Sequence, residues 1–256
     1  MSDIWERSVN EFETYCKNNR FSAYIGNDTV LASVLGNHKF FLSPIKDVGT
    51  SASLVKDGYW ESPTSVVMAR SLKQYDVCID VGANCGYFSC IMASKSSKVY
   101  AYEPNINMID NFKKTIKANG YQNKIELLNK AVFSDCSRKI LSFPSDDYGT
   151  GSLFANFENI LDVDCVTIDS IYKNKKVDLI KIDAEGSELD ILNGAVLTLS
   201  NNPNIIILLE HNLAYYNKEI DSLLHNLDFK IWSIDNNADL KKVSYDKDCM
   251  FYVRRH

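Results

Sequence analysis

No apolar run in this sequence approaches the roughly 18 residues that a membrane-spanning helix needs. The longest, residues 205–209, has the length of a buried strand. Positive charge is in deficit, with 28 Lys and Arg against 33 Asp and Glu. A net charge of −5 carries no basic footprint for nucleic acid. The one basic cluster, Arg254, Arg255 and His256, reads as a solvated tail. Cys-x-x-Cys pairs are missing. The seven cysteines, at 16, 78, 85, 90, 136, 165 and 249, are odd in number and irregular in spacing. Neither a zinc knuckle nor a disulfide framework is expected. Cys78 and Cys90 stand among apolar residues and should pack as small hydrophobes. The first residues, Met1 to Glu6, lack a basic stretch followed by an apolar one, so no signal peptide is expected. A reducing cytoplasm is the expected compartment. There is no low-complexity tract and no repeat of solenoid period.

What is present is ample core material: 45% hydrophobic residues, including 12 Phe, 14 Tyr and 3 Trp. Short apolar runs alternate with amphipathic stretches, the pattern of βαβ units around a parallel sheet. Residues 1–70 read as an extension. Trp5, Val9, Phe12 and Cys16 recur at helical spacing. Apolar runs at 30–35 and 39–42 flank Gly36-Asn37 and suggest a hairpin. Ser62-Pro63 suggests a cap and first turn of a helix running to Leu72. Residues 71–256 form the main domain. Strands are expected at 77–81, 98–102, 125–132, 178–182, 204–209, 229–234 and 249–254. Helices are expected at 87–95, 105–119 (ending at Gly120), 187–199 and 218–226. The long insert at 133–176 carries the turn-rich residues 146–151 and reads as a β-hairpin or lid.

Three motifs carry chemistry. Asp80-Val81-Gly82-Ala83-Asn84-Cys85-Gly86 follows an apolar strand and opens a helix. Its glycines allow a sharp turn and close approach of backbone to a ligand. The spacing Gly-x-Asn-x-Gly departs from the dinucleotide fingerprint, and Asp80 would repel a pyrophosphate. The same carboxylate suits a ligand carrying an ammonium and a sulfonium. Glu103-Pro104 ends the next strand, about twenty residues past the first glycine, where a carboxylate can accept two ribose hydroxyls. Alone it would read as an acidic helix start; beside the first motif the ribose role is expected. Asp183, Glu185 and Glu188 crowd the end of the fourth strand, where open α/β sheets bind ligands. Mutual repulsion should raise at least one pKa. Glu210-His211 ends the neighbouring strand, and His211 is expected to point into the same crevice. Tyr172-x-x-x-Lys176 has a reductase spacing but lies in the insert without the helix that chemistry requires.

Taken together these residues resemble the FkbM family of S-adenosylmethionine-dependent methyltransferases. The matching stretches are IDVGANCGYFS (79–89), KVYAYEPN (98–105), NKAV (129–132), VTIDSI (166–171), DLIKIDAEGSELDILNGA (178–195) and IILLEH (206–211), with an upstream GYWE (58–61). The likeness covers residues 57–210 well and the last 45 loosely. Cys85 stands where the family often has Ile or Val. The resemblance implies a Rossmann-like class I methyltransferase fold, a mostly parallel sheet of seven strands with the last antiparallel and helices on both faces. It implies that Asp80, Gly82, Asn84 and Gly86 line the methionine end of S-adenosylmethionine, with Glu61 beside them. Glu103 and Pro104 would hold the ribose, Asn129 and Ala131 would edge the adenine, and Asp183 would face the methyl group.

The activity so implied is O-methylation, with a sugar or glycan hydroxyl as the expected acceptor. A hydroxyl needs its proton removed, so a general base is expected among Asp183, Glu185 and His211. Alternatively, Mg²⁺ held by Asp183 and Glu210 could acidify the hydroxyl. Two further readings stand beside this one: N-methylation of an amide or amine, and a cofactor-binding protein without catalysis. The acceptor's identity and the oligomeric state are not legible in the sequence.

Overall fold

The computed structural model describes residues 3–255; Met1 and Ser2 of the expected leaderless start, and His256 of the basic cluster, lie outside the described residues. After a 3₁₀ turn at Ile4–Glu6 comes α1 (Val9–Asn19). Ser8 and Glu11 close a reciprocal capping box at its start, and Val9, Phe12 and Cys16 form its buried stripe. Three antiparallel strands follow: β1 (Phe21–Gly26), β2 (Thr29–Val34) and β3 (His38–Leu42). The expected hairpin is β2–β3; β1 adds a third strand beside β2, with Phe21, Tyr24 and Ile25 exposed. Helices α2 (Thr50–Asp57) and α3 (Ser62–Ser71) complete the extension. Its Phe12, Phe40 and Met68 pack in one apolar cluster with Cys90 and Met92 of the main domain.

The main domain then runs β4 (Val77–Val81), α4 (Tyr87–Lys95), β5 (Lys98–Tyr102), α5 (Ile106–Ala118) and β6 (Ile125–Leu128). An insert holds β7 (Ala131–Val132), β8 (Arg138–Phe143), β9 (Asn159–Val166) and α6 (Ile168–Tyr172). The chain returns through β10 (Leu179–Ile182), α7 (Glu188–Asn193), α8 (Val196–Asn201), β11 (Ile206–His211) and α9 (Glu219–Asn226). It ends in β12 (Lys230–Ile234), β13 (Leu240–Lys242) and β14 (Cys249–Arg254). The large sheet is ordered β13-β12-β14-β11-β10-β4-β5-β6. The ladders among β6, β5, β4, β10 and β11 are parallel, and β14 is antiparallel to both its neighbours. This is the expected α/β architecture with one strand more, because β13 folds back on β12 as an edge hairpin. The order reverses at β4, so the crevice outside its C-terminal end is a topological switch point where such sheets bind ligands. Among the described residues no helix is long and apolar enough to cross a membrane.

Four local expectations are corrected. The strand expected at 125–132 breaks after Leu128, because Asn129 turns its side chain back to the Glu103 and Pro104 carbonyls; Ala131–Val132 then pairs with β9 in another sheet. The helix expected at 187–199 is two helices. Asp169 caps the second through the Leu197 and Thr198 N–H groups, and the Asp169 N–H takes the Gly194 carbonyl between them. Ser62 is not the cap of α3: Glu61 is, in a left-handed conformation, while Ser62 Oγ donates to Glu13 Oε1 at 2.5 Å. The basic end is not a solvated tail. Arg255 donates to the carbonyls of Leu199, Asn202 and Leu227 and lies over the Phe229 ring, because helix ends leave carbonyls that need donors. The insert is the expected hairpin, β8–β9, with residues 144–158 as its connecting loop.

Candidate active site

A cavity of about 230 Å³ opens at the C-terminal ends of β10, β4 and β5. Gly82 makes the turn possible. Its φ is +74°, and a Cβ there would overlap the Asp183 carbonyl oxygen, so only glycine lets the β4 and β10 ends converge. Asn84, at φ 51°, is strained for a residue with a side chain. Its N–H donates to Glu103 Oε2 at 2.8 Å, and Glu103 Oε1 accepts from Asn105 N–H at 2.8 Å. Burial raises the Glu103 carboxyl to about 7, against the pull of these two donors. The insert closes the cavity from above. Tyr148 N–H donates to the Lys46 carbonyl, Asn105 Nδ2 holds the Tyr148 carbonyl, and Ser152 Oγ donates to the Glu185 carbonyl at 2.8 Å. A Cβ on Gly149 would strike the Asn84 amide, so the lid tip rests directly on the β4 loop.

The opposite wall is acidic. Lys181 and Asp80 are ladder partners on β10 and β4 and share one face of the sheet. Lys181 is 2% exposed; its Nζ lies 3.0 Å from Asp183 Oδ2 and 3.9 Å from Asp80 Oδ1, above the Phe88 ring. Glu185 is held at φ 50° at the start of the β10–α7 turn. Burial, and then the charges of Asp183, Glu188 and Asp147, push its carboxyl up to about 7. Burial also raises Glu210 and Glu61, with Asp183 as the next cause in each. Repulsion thus contributes as the sequence suggested, but burial dominates. Glu188 is structural: its Oε1 accepts from the N–H groups of Ala184 and Gly186. Buried polar atoms without a partner gather here. They include Glu61 Oε2, Asn84 Oδ1, Asp147 Oδ1, Ser187 Oγ and Glu210 Oε2, all from residues on the cavity wall. Such groups are costly unless a ligand or water satisfies them.

The model of the methyltransferase FkbM domain matches residues 80–231. The chain belongs to the FkbM methyltransferase family. Its enzyme class is therefore the expected one, a methyltransferase, and the family implies a donor of the S-adenosylmethionine type. A curated relative, the hexuronic acid methyltransferase AglP of Haloferax volcanii, is 23% identical over 205 residues, covering 79% of this chain and 80% of its own. The crystal structure of methyltransferase FkbM from Methylobacillus flagellatus superposes with a TM-score of 0.53 at 19% identity. It covers 74% of this chain, which spans only 48% of that one. The tRNA m1G37 methyltransferase of M. jannaschii gives a TM-score of 0.50 at 13% identity, over 91% of this chain and 56% of its own. At these identities both structures speak for the fold alone.

Within this FkbM fold, the cavity wall includes Glu61, Gly82, Asn84, Glu103, Pro104, Ala131, Asp183, Glu185 and Glu210 of the residues singled out in the sequence. Four others are placed elsewhere. Asp80 is fully buried behind the wall, accepting from Ser89 Oγ at 2.5 Å and facing Lys181. Gly86 caps α4, against the Phe112 ring. Asn129 acts from outside by holding the Glu103–Pro104 carbonyls. His211 does not enter the crevice. Strand side chains alternate, so Glu210 takes the crevice side and His211 the other. There it packs among Tyr216, Tyr245 and Phe251 and its Nδ1 meets the Lys247 carbonyl. The Mg²⁺ site does not fit. Among the described residues no three His, Cys, Asp or Glu converge as metal ligands, and the Lys181 ammonium already occupies Asp183. Cys85 lines the cavity as well as packing, with a thiol that burial holds well above its ordinary pKa. Tyr172 ends α6 and bonds the Tyr102 hydroxyl, while Lys176 pairs with Asp178, so the reductase spacing is coincidental. Lys181 was missed. Its signal was a lysine centred in the apolar run LIKI, since an unpaired ammonium is not buried in a parallel strand without a partner.

Proposed function

We propose that the protein is an S-adenosylmethionine-dependent O-methyltransferase that methylates a sugar hydroxyl. The observation carrying this reading is one cavity at the switch point that joins the strained Asn84 loop, the Glu103 carboxylate and a poised acid, Glu185. The orphaned oxygens of Asn84 and Glu61 suit the ammonium of the methionine end, and Glu103 suits the ribose hydroxyls. Pro104 and Ala131 give the adenine side of the wall. When bound, S-adenosylmethionine supplies a methyl group made electrophilic by its sulfonium. On such a donor the acceptor oxygen would bond to that carbon as the carbon–sulfur bond broke, with S-adenosylhomocysteine as the leaving group. Glu185 takes the hydroxyl proton: a carboxylate with a pKa of about 7 is matched to neutral pH. Asp183, fixed by Lys181, orients the acceptor, and the lid excludes water.

The sugar is supported by the chemistry that AglP's name records and by Tyr215, a half-exposed ring that packs on Gly186, the residue after Glu185. Calorimetric titration with S-adenosylhomocysteine tests the reading, with NAD as control. Micromolar one-to-one binding that Glu103→Gln weakens at least about tenfold is expected. A folded protein that does not bind S-adenosylhomocysteine overturns it.

A further inference from the structure

The lid meets the N-terminal extension at one antiparallel bridge, Asp47 to Asp147. Tyr148 N–H donates to the Lys46 carbonyl at 2.7 Å, and Val48 N–H donates to the Asp146 carbonyl at 3.3 Å. The bridge sets two carboxyls against each other. Asp147 lies over Gly49, where a Cβ would come within 3.3 Å of Asp147 Oδ2. Reciprocally, a Cβ on Gly149 would lie 3.0 Å from Asp47 Oδ1. Asp47, 1% exposed, already accepts from Thr50 N–H, Ser51 N–H and Ser51 Oγ, and those donors favour its ionised form. Asp147 Oδ1 is buried without such a donor. Two carboxyls hydrogen-bond only when one of them carries a proton, and here Asp147 donates and Asp47 accepts. The proton between them takes no part in the methyl transfer proposed.

We propose that Asp47 and Asp147 form a proton-dependent latch: the shared proton holds the lid tip down on the extension, and its loss frees the tip to open the cavity. With both carboxyls ionised the hydrogen bond is gone, and two like charges face each other where water is scarce. The tip governs access, since Asp147, Tyr148 and Gly149 line the cavity together with Gly49 and Thr50. Facing the pair are Asp146 in the lid, Glu185 on the β10–α7 turn and Cys85 on the β4–α4 turn. Asp146 and Glu185 push in the same direction as Asp47. The Cys85 thiol, held well above its ordinary pKa by burial, stays neutral. Lys46 pushes the other way, with its ammonium 5.5 Å from the centre of the Tyr148 ring. Asn105 Nδ2 and Ser152 Oγ tie the lid through donors that do not titrate, so the latch loosens the tip without unfolding the lid. Burial, and then Asp47, raises the Asp147 carboxyl to about 6. A group so raised contributes fully below its ordinary value of 3.8, and the contribution is lost as pH rises through the folded value. The empty cavity is therefore latched in mild acid and released towards neutral pH.

Hydrogen exchange of the full chain without ligand reads the latch at the Tyr148 and Val48 amides. Their protection, with the intrinsic pH dependence of exchange divided out, should fall about tenfold between pH 5 and pH 7.5, as for a group titrating at about 6. Asp147→Asn keeps a donor to Asp47 but has no proton to lose, so its protection at these amides should stay level across that range. This comparison separates the latch from the global loss of stability with pH, which the variant retains through Glu103 and Glu185. Asp146→Asn, at an exposed neighbouring position, should keep the wild-type fall. Wild-type protection that does not fall, a folded Asp147→Asn that falls like the wild type, or an Asp146→Asn that loses the fall overturns the latch. No arm involves S-adenosylhomocysteine or an acceptor, so the latch stands or falls apart from the methyltransferase reading.

Discussion

Glu185 and Asp183 are two residues apart, yet their surroundings divide the work between them. Asp183 lies 3.0 Å from a buried ammonium, whereas Glu185 faces Glu188, Asp183 and Asp147 with its carboxyl raised to about 7. Removing Glu185 as base should lower kcat about 10²- to 10⁴-fold. Glu185→Gln should do so while leaving S-adenosylhomocysteine affinity as it was. For the wild type, kcat/KM should rise with pH through about 7, and the variant's profile should be flat there. Steady-state rates against pH check both; a variant of undiminished rate removes Glu185 from the mechanism. This division could not be read from the motif DAEGSE. The spacing puts three acids at a strand end, but burial and the placement of Lys181 decide which one is free to accept a proton. His211 is the converse case. The sequence makes it a neighbour of the site, and strand alternation turns it away.

At the level of elements, strands and helices with strong period were legible to within a residue or two: β4, α4, β5 and β14 stand where their apolar patterns put them. The breaks were not. Asn129 ends β6 through bonds to residues 25 and 26 positions away, and Asp169 starts α8 from 28 positions away. No local window contains such partners. The C-terminal arginine is the same kind of element. Arg255 closes three carbonyls, at Leu199, Asn202 and Leu227, and stacks at 4.3 Å on Phe229. Arg255→Ala leaves those carbonyls without a charged donor and should cost about 1.5–3 kcal/mol. Arg255→Lys should recover only part, because an ammonium lacks the planar fork. Chemical denaturation of the two variants beside the wild type checks this, and an Arg255→Ala midpoint equal to wild type would refute it.

Across the whole molecule, the extension, the sheet and the insert meet at one acidic cavity, and this ties stability to pH. Glu103 and Glu185 both sit near 7 in the fold, above their ordinary value of 4.5, and Glu61 is raised as well. A group whose pKa is raised on folding stabilises the fold fully below its ordinary value, and that stability is lost as pH rises through the folded one. The protein without ligand should therefore melt at progressively lower temperature from about pH 5 to pH 8, and Glu185→Gln should flatten the slope. Thermal melts across that range check it, and a melting temperature that climbs with pH would contradict it.

The sequence by itself determined the α/β alternation, the family and the residues at the strand ends, because hydrophobic period and glycine-bounded turns are local properties. Only the tertiary structure decided which of those residues face the cavity, that Lys181 lies between Asp80 and Asp183, and that the insert rests on Asn84. Side-chain direction, burial and charge pairing depend on strands that are distant in the chain and adjacent in the sheet. The acidity of the cavity arises there, from Glu61, Glu103, Asp183, Glu185 and Glu210, which no single stretch of sequence contains.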